Sequence, residues 1–144
     1  MSLYLDTSCL LKLLLPEAES RRVAELVEAE EHVVVSSLAK LEATCQVHWR
    51  VAGGHLKRVG AKTLLARMDS MLSQAPYDLV RAPAEIVDAA QRQARSLPKD
   101  GYCPTLDRLH LAVMQTLGFN RLLTNDDAQA RAGRALGFVV SLPR

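Results

Sequence analysis

Aromatic side chains are scarce: the 144 residues hold two Phe, one Trp and three Tyr. So few rings exclude a platform on which successive bases could stack. The three cysteines, Cys9, Cys45 and Cys103, are far apart and form no CxxC pair. That excludes a zinc-finger pattern and a disulfide framework, and leaves reduced, mostly buried thiols as the expectation. Long hydrophobic runs are missing too. The Leu-rich opening is interrupted by Asp6, Lys12 and Pro16, well short of the about 18–20 apolar residues of a membrane span, and it lacks the basic start of a signal peptide. A soluble, cytoplasmic protein with no membrane contact is expected. Nor is there an excess of one charge: 18 basic and 16 acidic residues leave a net +2. What the chain does have is an ordinary globular composition, 49% hydrophobic and 24% charged, in a length that suits one domain spanning residues 1–144.

Short continuous apolar runs end at polar residues. Leu3-Tyr4-Leu5 stops at Asp6, His32-Val33-Val34-Val35 at Ser36-Ser37, and Arg121-Leu122-Leu123 at Thr124-Asn125-Asp126-Asp127. Continuous rather than alternating runs are expected of strands buried on both faces, as in a parallel sheet. Asp78-Leu79-Val80 and Phe138-Val139-Val140 are weaker strand candidates. Helical stretches are predicted between them, over Ala18–Glu31, Leu38–Val51, Leu56–Leu72, Ala84–Ser96, Leu106–Leu117 and Ala128–Leu136. In the second of these, Leu38, Leu41, Cys45 and Trp49 recur at helical spacing and predict the buried stripe. Strands alternating with helices predict an α/β fold with helices on both faces of a parallel sheet.

Charge is unevenly spread. Glu17 to Glu31 is acidic, whereas Lys40 to Arg67 carries Lys40, Arg50, Lys57, Arg58, Lys62 and Arg67 against the single acid Glu42. The basic segment could follow a phosphate backbone, or could be a solvated helix face. Leu10, Leu11, Leu14 and Leu15 crowd one short helix after Asp6, and part of that surface is expected to meet a second subunit or a partner helix, with ordinary core packing as the alternative.

Four acids stand at placed positions. Asp6 ends the first strand, where open parallel sheets bind ligands, although the same residue also suits a helix N-cap. Asp126 and Asp127 follow the third strand in the same manner, and either could face a ligand. Glu42 falls inside a helix beside an apolar stripe, too deep to be a cap; it reads as a metal ligand or as half of a buried salt bridge. Asp107 lies in the first turn of its helix, where a carboxylate also favours the helix dipole. His110, one turn on, reads as a packed or hydrogen-bonded helix histidine. Were Asp6, Glu42, Asp107 and Asp126 to converge at ~6 Å, each pair would repel by about 3 kcal/mol at an effective dielectric of ~20. Such a cluster needs a cation or shared protons, and carboxylates without His or Cys select Mg²⁺ or Mn²⁺ over zinc.

Leu3-Tyr4-Leu5-Asp6-Thr7-Ser8 resembles the opening of PIN-domain ribonucleases, most closely the VapC-type toxins of toxin–antitoxin systems. Ser36-Ser37-Leu38 followed by Glu42 resembles that family's second acidic position, Thr105-Leu106-Asp107-Arg108-Leu109-His110-Leu111-Ala112 its third, and Leu123-Thr124-Asn125-Asp126 its fourth. The resemblance implies a three-layer α/β/α fold and Mg²⁺- or Mn²⁺-dependent cleavage of RNA. It also implies a homodimer and an antitoxin that covers the site. It assigns Asp6, Glu42, Asp107 and Asp126 as acidic site residues, with Thr7, Ser8 and Thr124 as accessory hydroxyls and Asp127 beside them. Two other readings remain: a PIN-like scaffold that binds without catalysis, and a housekeeping nuclease without an antitoxin. A phosphoaspartate enzyme would want a second Asp where Ser8 stands.

Overall fold

A computed structural model describes all residues, 1–144. The apolar runs form β1 (Leu3–Leu5), β2 (Val33–Ser36) and β4 (Arg121–Leu123), and the weaker candidates form β3 (Tyr77–Val80) and β5 (Val139–Ser141). Between them lie α1 (Thr7–Leu14), α2 (Ser20–Glu28), α3 (Ser37–Ala52), α4 (Arg58–Leu72), α5 (Ile86–Arg95), α6 (Thr105–Leu117) and α7 (Asp127–Ala135). All pairings are parallel, in the order β3-β2-β1-β4-β5.

Strand periodicity sorts the core into two layers. Leu3, Leu5, Val33, Val35 and Leu123 face α1 to α4, packing with Leu10, Leu14, Val23, Ala39 and Met68. Tyr4, Val34 and Leu122 face α5 to α7, packing with Ile86, Ala89, Leu111 and Met114. The expected three-layer α/β/α architecture is therefore observed. No helix is long and apolar enough to cross a membrane.

Two expectations about apolar residues are overturned. Leu10, Leu11 and Leu14 are buried and Leu15 is half-buried, because α1 is wedged between the sheet and helices α2, α3 and α4. Leu10, Leu11 and Leu14 are core, and of the four only Leu15 keeps part of its surface open. On α3 the inward stripe is Ala39, Ala43 and Val47, while Leu41 and Trp49 stand 60% and 69% exposed. Small residues let α3 approach the sheet and α1 closely, so its large apolar side chains point outward. Cys45 on the same helix is exposed, and only Cys9 and Cys103 are buried thiols.

Candidate active site

The chain leaves β1 for β2 on one side and later places β4 on the other. The carboxyl ends of β1 and β4 therefore flank a crevice, where ligands bind in open parallel sheets. A pocket of about 330 Å³ opens there, and Leu11 is the one hydrophobic residue among those lining it. Asp6, Glu42, Asp107 and Asp126 all border it, brought by the end of β1, by α3, by α6 and by the turn after β4.

Each acid is held differently. Asp6 caps α1: its Oδ1 accepts from the Cys9 amide at 3.0 Å and from the Ser8 hydroxyl at 2.7 Å. Its Oδ2 accepts from the Thr124 hydroxyl at 2.5 Å. Burial pushes the Asp6 carboxyl above its ordinary pKa, and the bonds from Thr124, Cys9 and Ser8 only partly offset that. Asp126 caps α7, accepting from the Gln129 amide at 2.8 Å. For Asp6 and Asp126, then, capping and a place in the pocket go together.

Asp107 makes no side-chain hydrogen bond that would tie it down. Burial, followed by the negative charge of Asp126, Asp6 and Glu42, pushes its carboxyl up to about 6. Glu42 lies opposite. Its Oε1 accepts from His110 Nε2 at 2.6 Å and from the Thr7 hydroxyl at 2.9 Å. Burial acts to raise the Glu42 pKa, but the bonds from His110 and Thr7 outweigh it and hold the group below the ordinary value. The Glu42 carboxylate thus borders the pocket and at the same time accepts a hydrogen bond from a buried histidine.

Asp127 does not border the pocket. It faces outward and pairs with Arg144 at 2.9 Å. Arg50 does border it, because Glu42, Gln46 and Arg50 follow one another at a spacing of four along one face of α3. Lys57, Arg58 and Lys62 are exposed at the start of α4, with Arg58 and Lys62 lining a groove against α3. Arg67 is separate, donating to the Leu13 carbonyl at 3.0 Å. Leu11, Lys12, Glu17, Gln46 and Asn125 also line the pocket and were not expected from the sequence. Gln46 was legible as the position one turn beyond Glu42. Lys12 is buried against Glu17 and Glu19, at 3.3 and 2.9 Å, a pairing that spacing alone does not disclose.

The donor set fits a hard divalent cation. It offers five carboxylates, Glu17 among them, and no thiolate, and the negative charge crowded around Asp107 is one that a cation would relieve. In this arrangement no three of the acids yet converge at coordinating distance.

The PIN domain family model matches residues 3–135. Ribonuclease VapC46 of Mycobacterium tuberculosis is 31% identical over 144 residues, covering 99% of this chain and 98% of that one. Among solved structures, Mycobacterium tuberculosis VapC20, described as a sarcin-ricin loop cleaving toxin, superposes with a TM-score of 0.70 at 16% identity. That match covers 95% of this chain and 96% of the other. VapBC2 from Rickettsia felis, bound to a DNA fragment from its promoter, gives 0.71 at 15% identity, covering 99% and 98%. The chain belongs to the PIN-domain family, in its VapC branch.

Proposed function

We propose that residues 1–144 form one PIN domain that hydrolyses RNA phosphodiester bonds, and that it is the toxin of a toxin–antitoxin pair in the cytoplasm. The observation that carries this reading is that four acids from four separate elements line one polar pocket at the carboxyl ends of β1 and β4. Whole-length likeness to a VapC ribonuclease supports it.

Asp6, Glu42, Asp107 and Asp126 hold Mg²⁺ or Mn²⁺. Such an ion supplies an activated water at neutral pH and neutralises charge that develops at phosphorus. The protein's own groups do the rest. Ser8 and Thr124 fix the Asp6 carboxylate, and Thr7 fixes Glu42. Arg50, at the pocket wall, contacts a phosphate of the substrate, while Lys57, Arg58 and Lys62 follow the strand away from the site. Arg67, turned towards α1, makes at most a peripheral contact, and Asp127 serves the turn rather than the ion.

The protein acts as a homodimer with an antitoxin as its second partner. The exposed Leu41 and Trp49 on α3 and Val59 on α4 offer apolar surface for such contacts. The test is incubation of purified protein with mixed cellular RNA, with Mn²⁺ and with chelator, followed by mapping of new ends. Cleavage that needs Mn²⁺ and is lost in Asp6→Asn is expected. Undiminished cleavage in chelator would overturn the metal-dependent reading.

A further inference from the structure

We propose that His110 is a positioning residue for Glu42: its Nε2–H fixes one carboxylate oxygen, while the Tyr4 hydroxyl holds the other ring nitrogen in place. The inference rests on the reading of Glu42 as a residue that holds the divalent ion.

His110 is buried on α6, with 1% of its surface exposed, and it spans two layers of the molecule. Its Nε2 meets Glu42 Oε1 at 2.6 Å and lies 3.1 Å from the Thr7 hydroxyl. Its Nδ1 meets the Tyr4 hydroxyl at 2.8 Å. A bare ring nitrogen at 2.6 Å from a carboxylate oxygen would be repelled, so Nε2 carries the hydrogen and donates. In the neutral ring Nδ1 must then accept. Burial holds Tyr4 protonated, so its hydroxyl has the proton that Nδ1 needs. Tyr4 sits in the central strand with its ring edge against the imidazole, at a centroid separation of 5.9 Å.

The consequence concerns the carboxylate. Both bonds, from His110 and from Thr7, land on Oε1, and Oε2 receives none. One oxygen is thereby committed to the protein and the other is left for the pocket. A carboxylate with one oxygen tethered presents the second in a limited range of orientations, which lowers the ordering cost of binding a cation. The chain Tyr4–His110–Glu42 thus links the sheet, α6 and α3, and sets the direction from which α3 supplies its acid.

The test compares Glu42→Gln, His110→Leu and His110→Gln by calorimetric Mn²⁺ titration and by thermal melts in chelator. The glutamine amide nitrogen can replace Nε2 as donor, so His110→Gln should keep most of the Mn²⁺ affinity. His110→Leu should lose about 10–100-fold, the usual loss when a partner of a metal ligand is removed. If Glu42→Gln leaves Mn²⁺ affinity unchanged, the reading of Glu42 itself fails. If Glu42→Gln weakens binding and His110→Leu does not, this inference alone is overturned, whatever the melts show. A nitrogen-15 spectrum of the wild-type ring in the metal-free protein, at mildly alkaline pH, provides a readout that needs no variant. It should show a protonated Nε2 and a bare Nδ1. A protonated Nδ1 and bare Nε2 would also overturn it.

Discussion

Replacing Asp107 by asparagine removes one charge from the pocket, keeps the shape of the side chain, and should make the metal-free protein more stable. Burial and then the charges of Asp126, Asp6 and Glu42 push this carboxyl from 3.8 up to about 6. Its folded pKa is above its unfolded value, so the folded state binds the proton more tightly. Folding is therefore unpenalised below about pH 4, and penalised increasingly as pH rises to about 6 and beyond. A rise of about 2 pH units corresponds to ~3 kcal/mol at ~1.4 kcal/mol per unit. The carboxyl is partly open to water, and screening reduces that to about 1–2 kcal/mol. The Asp107→Asn variant should gain this much above about pH 7, corresponding to a Tm higher by ~3–5 °C for a chain of this size. The gain should shrink between about pH 6 and pH 4 and then vanish. Thermal melts in chelator across that range measure it. Saturating Mn²⁺ should reverse the order, because ligand binding stabilises the folded state and the variant has lost one hard oxygen donor. A difference that does not change with pH, or a variant less stable than wild type in chelator at neutral pH, would refute the reasoning.

Leu10→Ala should destabilise the fold by about 2–5 kcal/mol in a urea titration, the cost of a cavity in a packed core. Its molar mass in solution should match the wild type, since Leu10 faces the sheet rather than a partner. Removing Lys57, Arg58 and Lys62 together should leave the cleavage site unchanged and flatten the salt dependence of RNA binding. The slope of log K against log salt should fall by about 2, at ~0.7 per phosphate contact on single strands. Fluorescence anisotropy on an Asp6→Asn background measures this, and an unchanged slope would mean that the face is merely solvated.

The strands were legible because a strand buried on both faces has little choice of residue: Leu3–Leu5, Val33–Val35 and Leu122–Leu123 admit almost no polar side chain. Their polar ends were legible too, so Asp6 and Asp126 could be located as strand-end acids before any coordinates. Asp107 and Glu42 needed helix phase, which placed both beside the core. The phase of α3 was misread nonetheless. Hydrophobicity ranks Leu41 and Trp49 above Ala39 and Ala43, whereas close packing of a helix on a sheet selects for small volume. The sequence posed Glu42 as ligand or salt bridge; its partner His110 lies on another helix, so helix phase alone could not disclose the hydrogen bond that holds one of its oxygens. Lys12, enclosed by Glu17 and Glu19 from the loop that follows it, depends on a turn geometry that residue spacing does not encode. Choosing between Asp126 and Asp127 required the cap of α7: the side chain that accepts the Gln129 amide stays at the pocket, and the next one swings out to Arg144.

The sheet order also governs when the pocket can exist. β1 is the central strand, yet it is the first to be synthesised, and one of its two neighbours, β4, begins at Arg121. Asp6 therefore reaches its final surroundings only after α6 has brought Asp107 and the turn after β4 has brought Thr124 and Asp126. At ~5–20 residues per second of synthesis, that is a delay of about 6–24 s during which Asp6 lacks the neighbours that surround it in the finished fold. The pocket is therefore assembled from contacts between residues far apart in the chain, and its acids share one wall only once β4 has paired with β1.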